Sequence, residues 1–445
     1  MAKKKMTLEE KLEDAIIKDK PYEVPEKWLW TKLQYVANWT SGGTPKSTHP
    51  EYYDGDIPWL IIADMNDGEI YSSNKTITEE GLINSSAKII DEESVLIAMY
   101  GSIGKLGITK IKCSCNQAIA FTKEIMPITY NKFIYYYLMF YRDKIISRGK
   151  GGTQQNISLT VLKDVEIVIP PLKEQQRIVD KIESLFEKLD KAKELIEEAR
   201  DDFEKRKSAI LEKAFRGELS QVWREENNIN REWKREKLKD ITKITSGGTP
   251  SRKHPEYFEG KIPWIKTGEI LWNRIYDSEE HITEEAIVNS SAKLIPEGAV
   301  LVAMYGQGLT RGRASILAKE ACTNQAVCAL IPSDAVLNSY LYYYFMSNYW
   351  RFRQVAKGGN QENLSGKVIG AFEIDIPSLE EQKEIVRILD KLLEEESKIE
   401  ELTTLEEQIE LIKKSILAKA FRGQLGTNSE DDESAIELLK EILNK

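Results

Sequence analysis

A long charged segment that occurs twice places the strongest constraint on the fold of this chain. Between residues 171 and 219, apolar side chains alternate at spacings of four and three, the a/d pattern of a coiled-coil helix. The members of this seam are Ile178, Ile182, Leu185, Leu189, Ala192, Ile196, Ala199 and Phe203. Such a seam needs a partner helix, and residues 379–425 repeat the segment through to a second Ala-Phe-Arg-Gly ending. The repeat therefore predicts an intramolecular coiled coil.

The rest of the chain is duplicated as well. The sequence Thr-Ser-Gly-Gly-Thr-Pro at 40–45 recurs at 245–250, and His-Pro-Glu-Tyr at 49–52 recurs at 254–257. Apolar runs such as 94–98, 166–170 and their copies predict strands, whereas the aromatic runs 133–138 and 341–345 predict helices. The expected fold class is α+β. If the two coiled-coil helices pair antiparallel, the two globular halves occupy equivalent places about a pseudo-two-fold axis.

The repeat boundaries predict six segments along the chain. Thr7 and Glu10 form a capping-box pattern, which predicts a helix near the N-terminus. The segments are an N-terminal helical arm (1–25), a first globular domain (26–170), a central coiled-coil helix (171–219), a linker with a second globular domain (220–377), a C-terminal coiled-coil helix (378–426) and an acidic tail (427–445).

Composition limits the compartment and the cofactors of this 445-residue chain. No apolar run reaches the ~20 residues of a membrane span, and the charged start is not a signal peptide. We therefore expect a cytoplasmic protein that has no membrane partner. The four cysteines lack C-x2-C spacing and nearby histidines, so they are expected to be free thiols and not metal ligands.

The charge of the chain is distributed unevenly. The net charge is −9, but residues 94–163 contain ten Lys/Arg and only two Asp/Glu, and residues 299–370 contain seven and three. The acidic excess lies in residues 51–93, in the coiled-coil helices and in the tail. A basic face on each globular domain is compatible with DNA binding.

Catalytic signatures are missing from the sequence. The run from Gly306 to Gly312 is one residue out of register for a dinucleotide-binding fingerprint, and the run from Gly101 to Lys105 lacks the spacing of a phosphate-binding loop. There is no Asn-Pro-Pro-aromatic motif of an amino-methyltransferase and no convincing nuclease carboxylate cluster. We expect that the chain has no catalytic residues and binds no cofactor or metal.

Repeated Gly-rich loops are better suited to DNA. Ser-Gly-Gly-Thr-Pro offers small residues, hydroxyls and exposed backbone N–H groups that could approach phosphate, and the Lys-Gly-Gly loops add amides that suit adenine edges. The alternative is that these loops are only turns. The candidate DNA-binding residues are Ser41, Gly42, Gly43, Thr44, Lys46, Tyr100, Lys105, Lys110, Lys112, Lys150, Gly152, Gln154, Gln155 and Asn156 in the first copy, and Ser246, Gly247, Gly248, Thr249, Arg252, Tyr305, Arg311, Arg313, Lys357, Gly359, Asn360, Gln361 and Asn363 in the second.

Positions that differ between the two copies are candidates for sequence specificity. A protein that reads two half-sites would vary its base-contacting residues and keep its phosphate contacts. The candidates are Asn66, Asp67 and Glu69 in the first copy and Trp272, Asn273 and Arg274 in the second. Drift on an unimportant surface is the competing interpretation.

These repeated motifs resemble the specificity subunit of type I restriction-modification enzymes. The resemblance extends from about Val24 over nearly the whole chain, and its carriers are Ser-Gly-Gly-Thr-Pro, Ile-Pro-Trp, Pro-Pro-Leu-Lys-Glu-Gln-Gln-Arg-Ile-Val and the two Ala-Phe-Arg-Gly endings. It implies two target-recognition domains that read a split site in double-stranded DNA. It also implies that the helices dock two methyltransferase subunits, which bind S-adenosylmethionine and methylate adenine. Up to two ATP-hydrolysing restriction subunits can join that complex.

Two other classes of function remain open from the residues alone. A pseudo-dimeric DNA-binding regulator would use the same duplicated frame without a methyltransferase. A scaffold that does not bind nucleic acid would show no salt-sensitive affinity for DNA.

Overall fold

A computed structural model describes residues 7–149, 156–306, 309–355, 364–397 and 401–444. Its α-helices, in chain order, are α1 Leu8–Ala15, α2 Leu33–Val36, α3 Glu79–Ile83, α4 Asn131–Ser147, α5 Leu159–Lys163, α6 Leu172–Phe215, α7 Gln221–Glu226, α8 Leu238–Ile241, α9 Glu284–Val288, α10 Asn338–Ser347, α11 Tyr349–Val355, α12 Gly366–Gly370, α13 Leu379–Ser397, α14 Glu401–Ala420 and α15 Ala435–Asn444.

Twenty short strands accompany these helices in the described residues. They are β1 Leu29–Lys32, β2 Ala37–Ser41, β3 Tyr53–Leu60, β4 Gly68–Ile70, β5 Thr76–Ile77, β6 Val95–Ala98, β7 Leu106–Thr109, β8 Ser114–Cys115, β9 Ile119–Ile125, β10 Glu166–Ile169, β11 Lys234–Lys237, β12 Ile244–Ser246, β13 Ile262–Ile265, β14 Arg274–Ile275, β15 His281–Ile282, β16 Val300–Ala303, β17 Ala314–Leu317, β18 Cys322–Thr323, β19 Val327–Leu330 and β20 Glu373–Ile376.

The chain divides into two compact units. Unit 1 contains Met1–Leu195 and Leu405–Lys445, and unit 2 contains Ile196–Thr404. Each unit therefore combines one globular half with part of α6 and part of the C-terminal helices.

Unit 1 is built on a five-stranded sheet with the order β2-β9-β6-β7-β4. The edge strand β4 pairs in parallel with β7, while the other neighbours are antiparallel. A three-stranded sheet, β5-β3-β8, and the pair β1-β10 complete the unit. Helix α4 packs against this framework. Seven of its residues, including the aromatic Phe133 and Tyr137, are therefore buried. The strands and the aromatic helix predicted for residues 94–98, 166–170 and 133–138 are confirmed.

Unit 2 repeats the same topology. Its five-stranded sheet has the order β12-β19-β16-β17-β14, its three-stranded sheet is β15-β13-β18, and its two-stranded pair is β11-β20. The β14–β17 pair is again the parallel edge. The duplication seen in the sequence therefore extends to strand order and strand direction, and the α+β class is confirmed.

The contacts of α6 establish how the coiled-coil helices pair. In unit 1, Asp190 forms an ion pair with Lys413 at 2.5 Å, and Arg177 donates from Nε to the carbonyl oxygen of Thr427 at 2.8 Å. The earlier residue of α6, Arg177, thus contacts the later residue of the C-terminal segment, Thr427, and the later residue, Asp190, contacts the earlier one, Lys413. The two segments therefore run antiparallel. In unit 2, buried residues near the end of α6, such as Leu211, share a core cluster with Leu389 of α13. The predicted antiparallel coiled coil is confirmed.

The ends of the chain are packed into unit 1. The capping box at Thr7 and Glu10 is present as predicted and begins α1. Lys11 of α1 donates from Nζ to the carbonyl oxygen of Leu443 at 2.7 Å, and the acidic tail contains helix α15, whose Leu439 is buried in the unit 1 core. Asp432 of that tail is also buried and accepts from Arg177. The tail is therefore a packed part of unit 1.

Two general properties follow from the described residues. None of the described helices combines the length and the apolar character that crossing a membrane requires.

All four cysteines are free and buried, and burial raises the pKa of the Cys322 thiol to about 11 and that of Cys113 to about 12. The thiols consequently stay protonated near neutral pH.

Candidate nucleic-acid interface

The Ser-Gly-Gly-Thr-Pro motifs are packed against neighbouring backbone. A Cβ atom added to Gly42 would lie 2.1 Å from the carbonyl oxygen of Cys115, and one added to Gly43 would lie 2.2 Å from the carbonyl carbon of Ser86. The second copy has the same approaches, since a Cβ on Gly247 would lie 2.1 Å from the carbonyl oxygen of Thr323. These glycines are needed because the chain passes too close for any side chain.

The N–H groups of these glycines are already used inside the protein. Gly42 donates to the Ile119 carbonyl at 3.1 Å and Gly43 to the Cys115 carbonyl at 2.9 Å. Gly247 and Gly248 donate in the same way, at 3.3 and 2.9 Å, to carbonyls of their own unit. The expectation that these N–H groups are exposed to phosphate is therefore wrong, because carbonyl groups of the neighbouring strands already accept from them.

Substituting Gly42 with alanine is expected to destabilise unit 1 by at least about 2 kcal/mol, because backbone atoms must move to admit the methyl group. Urea unfolding, with amide exchange to locate the loss, measures the effect. Gly68→Ala is the matched control, since no atom lies within 4 Å of an added Cβ at that position. A variant that keeps its stability but loses DNA affinity would show that Gly42 acts as a DNA contact instead.

The motif nevertheless presents an exposed polar pair in each copy. The hydroxyl of Thr44 donates to Gln117, and the hydroxyl of Thr249 donates to Gln325. All four side chains are exposed, as is Lys46, whereas Ser41 and Ser246 are half-buried. Sequence reasoning missed Gln117 and Gln325. The signal was present in the repeated Asn-Gln-Ala at 116–118 and 324–326, because exposed amides repeated beside a candidate loop suit base edges.

Two more of the predicted motifs meet at the end of β6. Tyr100 follows that strand, is 41% exposed and forms a β-bridge with Asn156, which ends the Lys-Gly-Gly loop. In unit 2, Tyr305 is 38% exposed, and Leu364, the residue that directly follows the loop, donates to the Met304 carbonyl at 3.2 Å. The strand end and the loop end are thus brought together in both copies. The remaining candidates of these loops lie outside the described residues: Lys150, Gly152, Gln154, Gln155, Lys357, Gly359, Asn360, Gln361 and Asn363.

Several of the predicted cations pair with acids of their own unit. Lys110 lies 2.5 Å from Glu93 and 3.2 Å from Glu69, and the hydrogen bond to Glu93 raises the pKa of its ammonium group. Arg252 forms an ion pair with Glu280 at 2.6 Å and covers the ring of Phe258. These two side chains help to hold their loops, so their charges are partly neutralised before any ligand arrives.

The other candidate cations differ in exposure. Lys112 is exposed, while Lys105 is half-buried, with its Nζ 3.4 Å from the Ile62 carbonyl oxygen. Arg311 and Arg313 are half-buried in the loop that follows Tyr305. Among the described candidate cations of unit 1, Lys46 and Lys112 are consequently the best placed to meet phosphate.

The specificity candidates fall into two groups. Asn66 and Arg274 are exposed. Glu69 and Asn273 are also exposed but bond internally, since Glu69 pairs with Lys110 and Asn273 Oδ1 accepts from the Ser315 hydroxyl at 2.7 Å. Asn66 and Arg274 are therefore better placed than the other two to read bases.

Asp67 and Trp272 are both half-buried and held by a second side chain. Arg142 binds the Asp67 carboxylate through two hydrogen bonds, and the Tyr349 ring packs against Trp272. Sequence reasoning missed Arg142 and Tyr349. The 207-residue offset that relates the Lys-Gly-Gly loops also relates Arg142 to Tyr349, so their equivalence could be predicted from the sequence. Their contacts with Asp67 and Trp272 could not.

Comparison with known proteins identifies the family. Residues 25–200 and 230–411 match the family model described as the type I restriction modification DNA specificity domain. Those two segments make up well over half of the chain. The chain belongs to this family. The resemblance predicted from the repeated motifs is thereby confirmed, and each match begins in one globular half and continues into its coiled-coil helix.

Individual relatives agree with the family match. The chain is 25% identical over 422 residues to the EcoKI specificity subunit of Escherichia coli K12, covering 91% of this chain and 90% of that one. It is 37% identical over 164 residues to the EcoR124I/EcoR124II specificity subunit of Escherichia coli, covering 36% and 40%. A solved chain from work on complex assembly and conformational transition of the type I R-M system shares the fold, with a TM-score of 0.73, 21% identity and coverage of 91% and 100%.

Proposed function

We propose that this chain is the non-catalytic DNA-reading subunit of a type I restriction-modification complex. Each recognition unit would read one part of a split site in double-stranded DNA. The observation that carries the proposal is the repeated placement of an exposed tyrosine, Tyr100 or Tyr305, at the end of the central strand β6 or β16 of identically ordered sheets. Beside the tyrosine lies the described end of the Lys-Gly-Gly loop, since Asn156 bridges to Tyr100 in unit 1 and Leu364 donates to the Met304 carbonyl in unit 2.

The chemistry of the proposed complex would reside in other subunits. Two methyltransferase subunits would bring S-adenosylmethionine and methylate adenine, and up to two ATP-dependent restriction subunits would join them. Support for docking on the helices comes from apolar side chains that unit 1 leaves exposed on α6 and α14. Leu195, Leu405, Leu411 and Ile412 are all at least one-third exposed. Apolar side chains exposed on a helix pair suit the burial that a stable interface requires.

A gel-shift assay with and without the matching methyltransferase, at two salt concentrations, tests the proposal. If the protein neutralises only two DNA phosphates, its affinity for DNA should fall about tenfold when salt rises from ~50 to ~200 mM, because counterions are released on binding. Binding should also be tighter with the methyltransferase present. Salt-independent binding, or tight binding that the methyltransferase does not alter, would contradict the proposal.

Mapping adenine methylation in cells that express the complex provides the second arm of this test. A bipartite motif that disappears with this chain is the expected result. Because the two units are so similar in sequence and topology, we also expect the two half-sites, read on opposite strands, to share bases. Half-sites with no base in common would contradict that last expectation.

A further inference from the structure

The turns that carry Asp67 and Trp272 are equivalent in the two units. Both residues adopt a left-handed backbone, with φ of 55° and 62°. The carbonyl oxygen of each accepts from a tyrosine hydroxyl on the aromatic helix, Tyr135 at 2.5 Å for Asp67 and Tyr342 at 2.6 Å for Trp272. The backbone of the turn is therefore anchored in the same way in both copies.

The side chains at this position are held by different chemistry. In unit 1, Arg142 Nη1 lies 3.0 Å from Asp67 Oδ2, and Nη2 lies 2.7 Å from Oδ1, which is a bidentate ion pair. In unit 2 the equivalent pair is Trp272 and Tyr349, whose rings meet edge to face at 5.5 Å with an interplanar angle of 78°. Both members have changed together, from an ion pair to an aromatic pair.

The second member of each pair also touches the loop that follows the exposed tyrosine. A Cβ on Gly104 would lie 2.9 Å from Arg142 Cγ, so the arginine stem lies directly over that glycine. In unit 2, the Tyr349 ring lies over Gly312, and its hydroxyl donates to the Leu309 carbonyl. Each pair therefore joins the turn at 66–69 or 271–274 to the loop that carries Lys105 or Arg313.

We propose that Asp67–Arg142 and Trp272–Tyr349 are two versions of one positioning clasp, and that each clasp sets the affinity of its own unit for its half-site. This inference rests on the proposed DNA-reading function. The clasp residues are positioning residues, because the Asp67 carboxylate, both Arg142 Nη atoms and the Tyr349 hydroxyl are engaged within the protein. The Arg142 side chain is 27% exposed and that of Asp67 is 34% exposed, and the Asp67 carboxylate also accepts from the Leu106 N–H at 2.8 Å.

Exchanging one member of a clasp should weaken half-site discrimination more than exchanging both members. Arg142→Tyr leaves the Asp67 carboxylate without its cation, and Asp67→Trp leaves a half-buried guanidinium without its acid. The double variant D67W/R142Y installs the pair that already works in unit 2. Its recovery should be large but incomplete, because the Leu106 N–H loses its acceptor. The reciprocal set in unit 2 is W272D, Y349R and W272D/Y349R.

The experiment uses the full chain with its methyltransferase and duplexes in which either half-site is scrambled. Each single unit 1 variant should weaken discrimination at one half-site by about tenfold, which corresponds to about 1.4 kcal/mol. The double variant should return to within about threefold of wild type. The unit 2 set should act on the other half-site. Lys132→Tyr is the matched control, since it removes another ion-paired cation of α4, bonded to Glu183 at 2.7 Å, outside the clasp.

The outcomes separate this inference from the proposed function. Wild-type protein that does not distinguish either half-site would refute the proposed function itself. If wild type discriminates, then single variants with unchanged discrimination, or a double variant no better than the singles, would overturn the clasp. Equal losses of discrimination at both half-sites, with a lowered urea midpoint, would mean that the pair serves general stability. That result would also overturn the clasp proposal.

Discussion

Replacing Glu381 with alanine should lower the free energy of unfolding of unit 2 by about 3–5 kcal/mol, the cost of leaving a buried charge unpaired. The Glu381 side chain is 2% exposed, and that of its partner Arg224 is 10% exposed. Glu381 also accepts from the Ser220 hydroxyl at 2.7 Å. Without the carboxylate, Arg224 keeps the Gly217 carbonyl, bonded to Nη2 at 2.7 Å, but has no charge to oppose its own.

Glu380→Ala is the control for this variant. Glu380 precedes Glu381 in the first turn of α13, so both substitutions remove a favourable interaction with the helix dipole of about 0.3–1 kcal/mol, but Glu380 is exposed. Amide hydrogen exchange in unit 2 measures the loss, since a chain with two units need not unfold in one step. A loss for Glu381→Ala no larger than that of the control would mean that the buried pair contributes nothing net.

Phe421→Ala should destabilise unit 1 by about 3–5 kcal/mol through the cavity it leaves. This side chain is fully buried, and its ring centroid lies 5.4, 5.1 and 5.4 Å from those of Phe133, Tyr137 and Phe140 on α4. The substitution therefore removes the contact between the end of the C-terminal helix and the aromatic helix of the recognition unit. Hydrogen exchange of the α4 amides is the direct measurement.

Phe215 provides an internal comparison, because it occupies the same place in the other Ala-Phe-Arg-Gly ending. It is only partly buried and packs on Tyr340 and Tyr344 at 5.0 and 5.8 Å. Phe215→Ala should cost below about 3 kcal/mol and should act on unit 2. Equal losses in the two variants, or protection lost in the wrong unit, would contradict this account of the duplicated endings.

Local pattern and repetition were enough to predict the architecture. The four-three spacing from Ile178 to Phe203 predicts a helix with one apolar seam. Because the same chain contains a second copy of this seam, the second copy can serve as its partner helix. Apolar runs such as 94–98 predict buried strands for the same reason, since burial depends on residue type and period. The family followed from motifs whose order and duplication are visible without coordinates.

The candidate site was only partly predictable. The Ser-Gly-Gly-Thr-Pro motif was singled out for contact with DNA, but its glycines meet the strand ends at Cys115 and Thr323 and not an open surface. A glycine that allows close approach to a ligand and one that allows close approach to another strand look the same in a sequence. Likewise, Lys110 reads as a free cation until its distance to Glu93 is known.

The sequence by itself determined the duplication, the α+β class, the coiled coil and the family, because periodicity and repetition are properties of a single chain. Tertiary structure decided which repeated residues are structural and which remain available to DNA. The Asp67–Arg142 pair is 75 residues apart in the chain, and Trp272 and Tyr349 are 77 apart. Such a pair is defined only by folding, because its energy depends on the distance between two side chains that no local pattern connects.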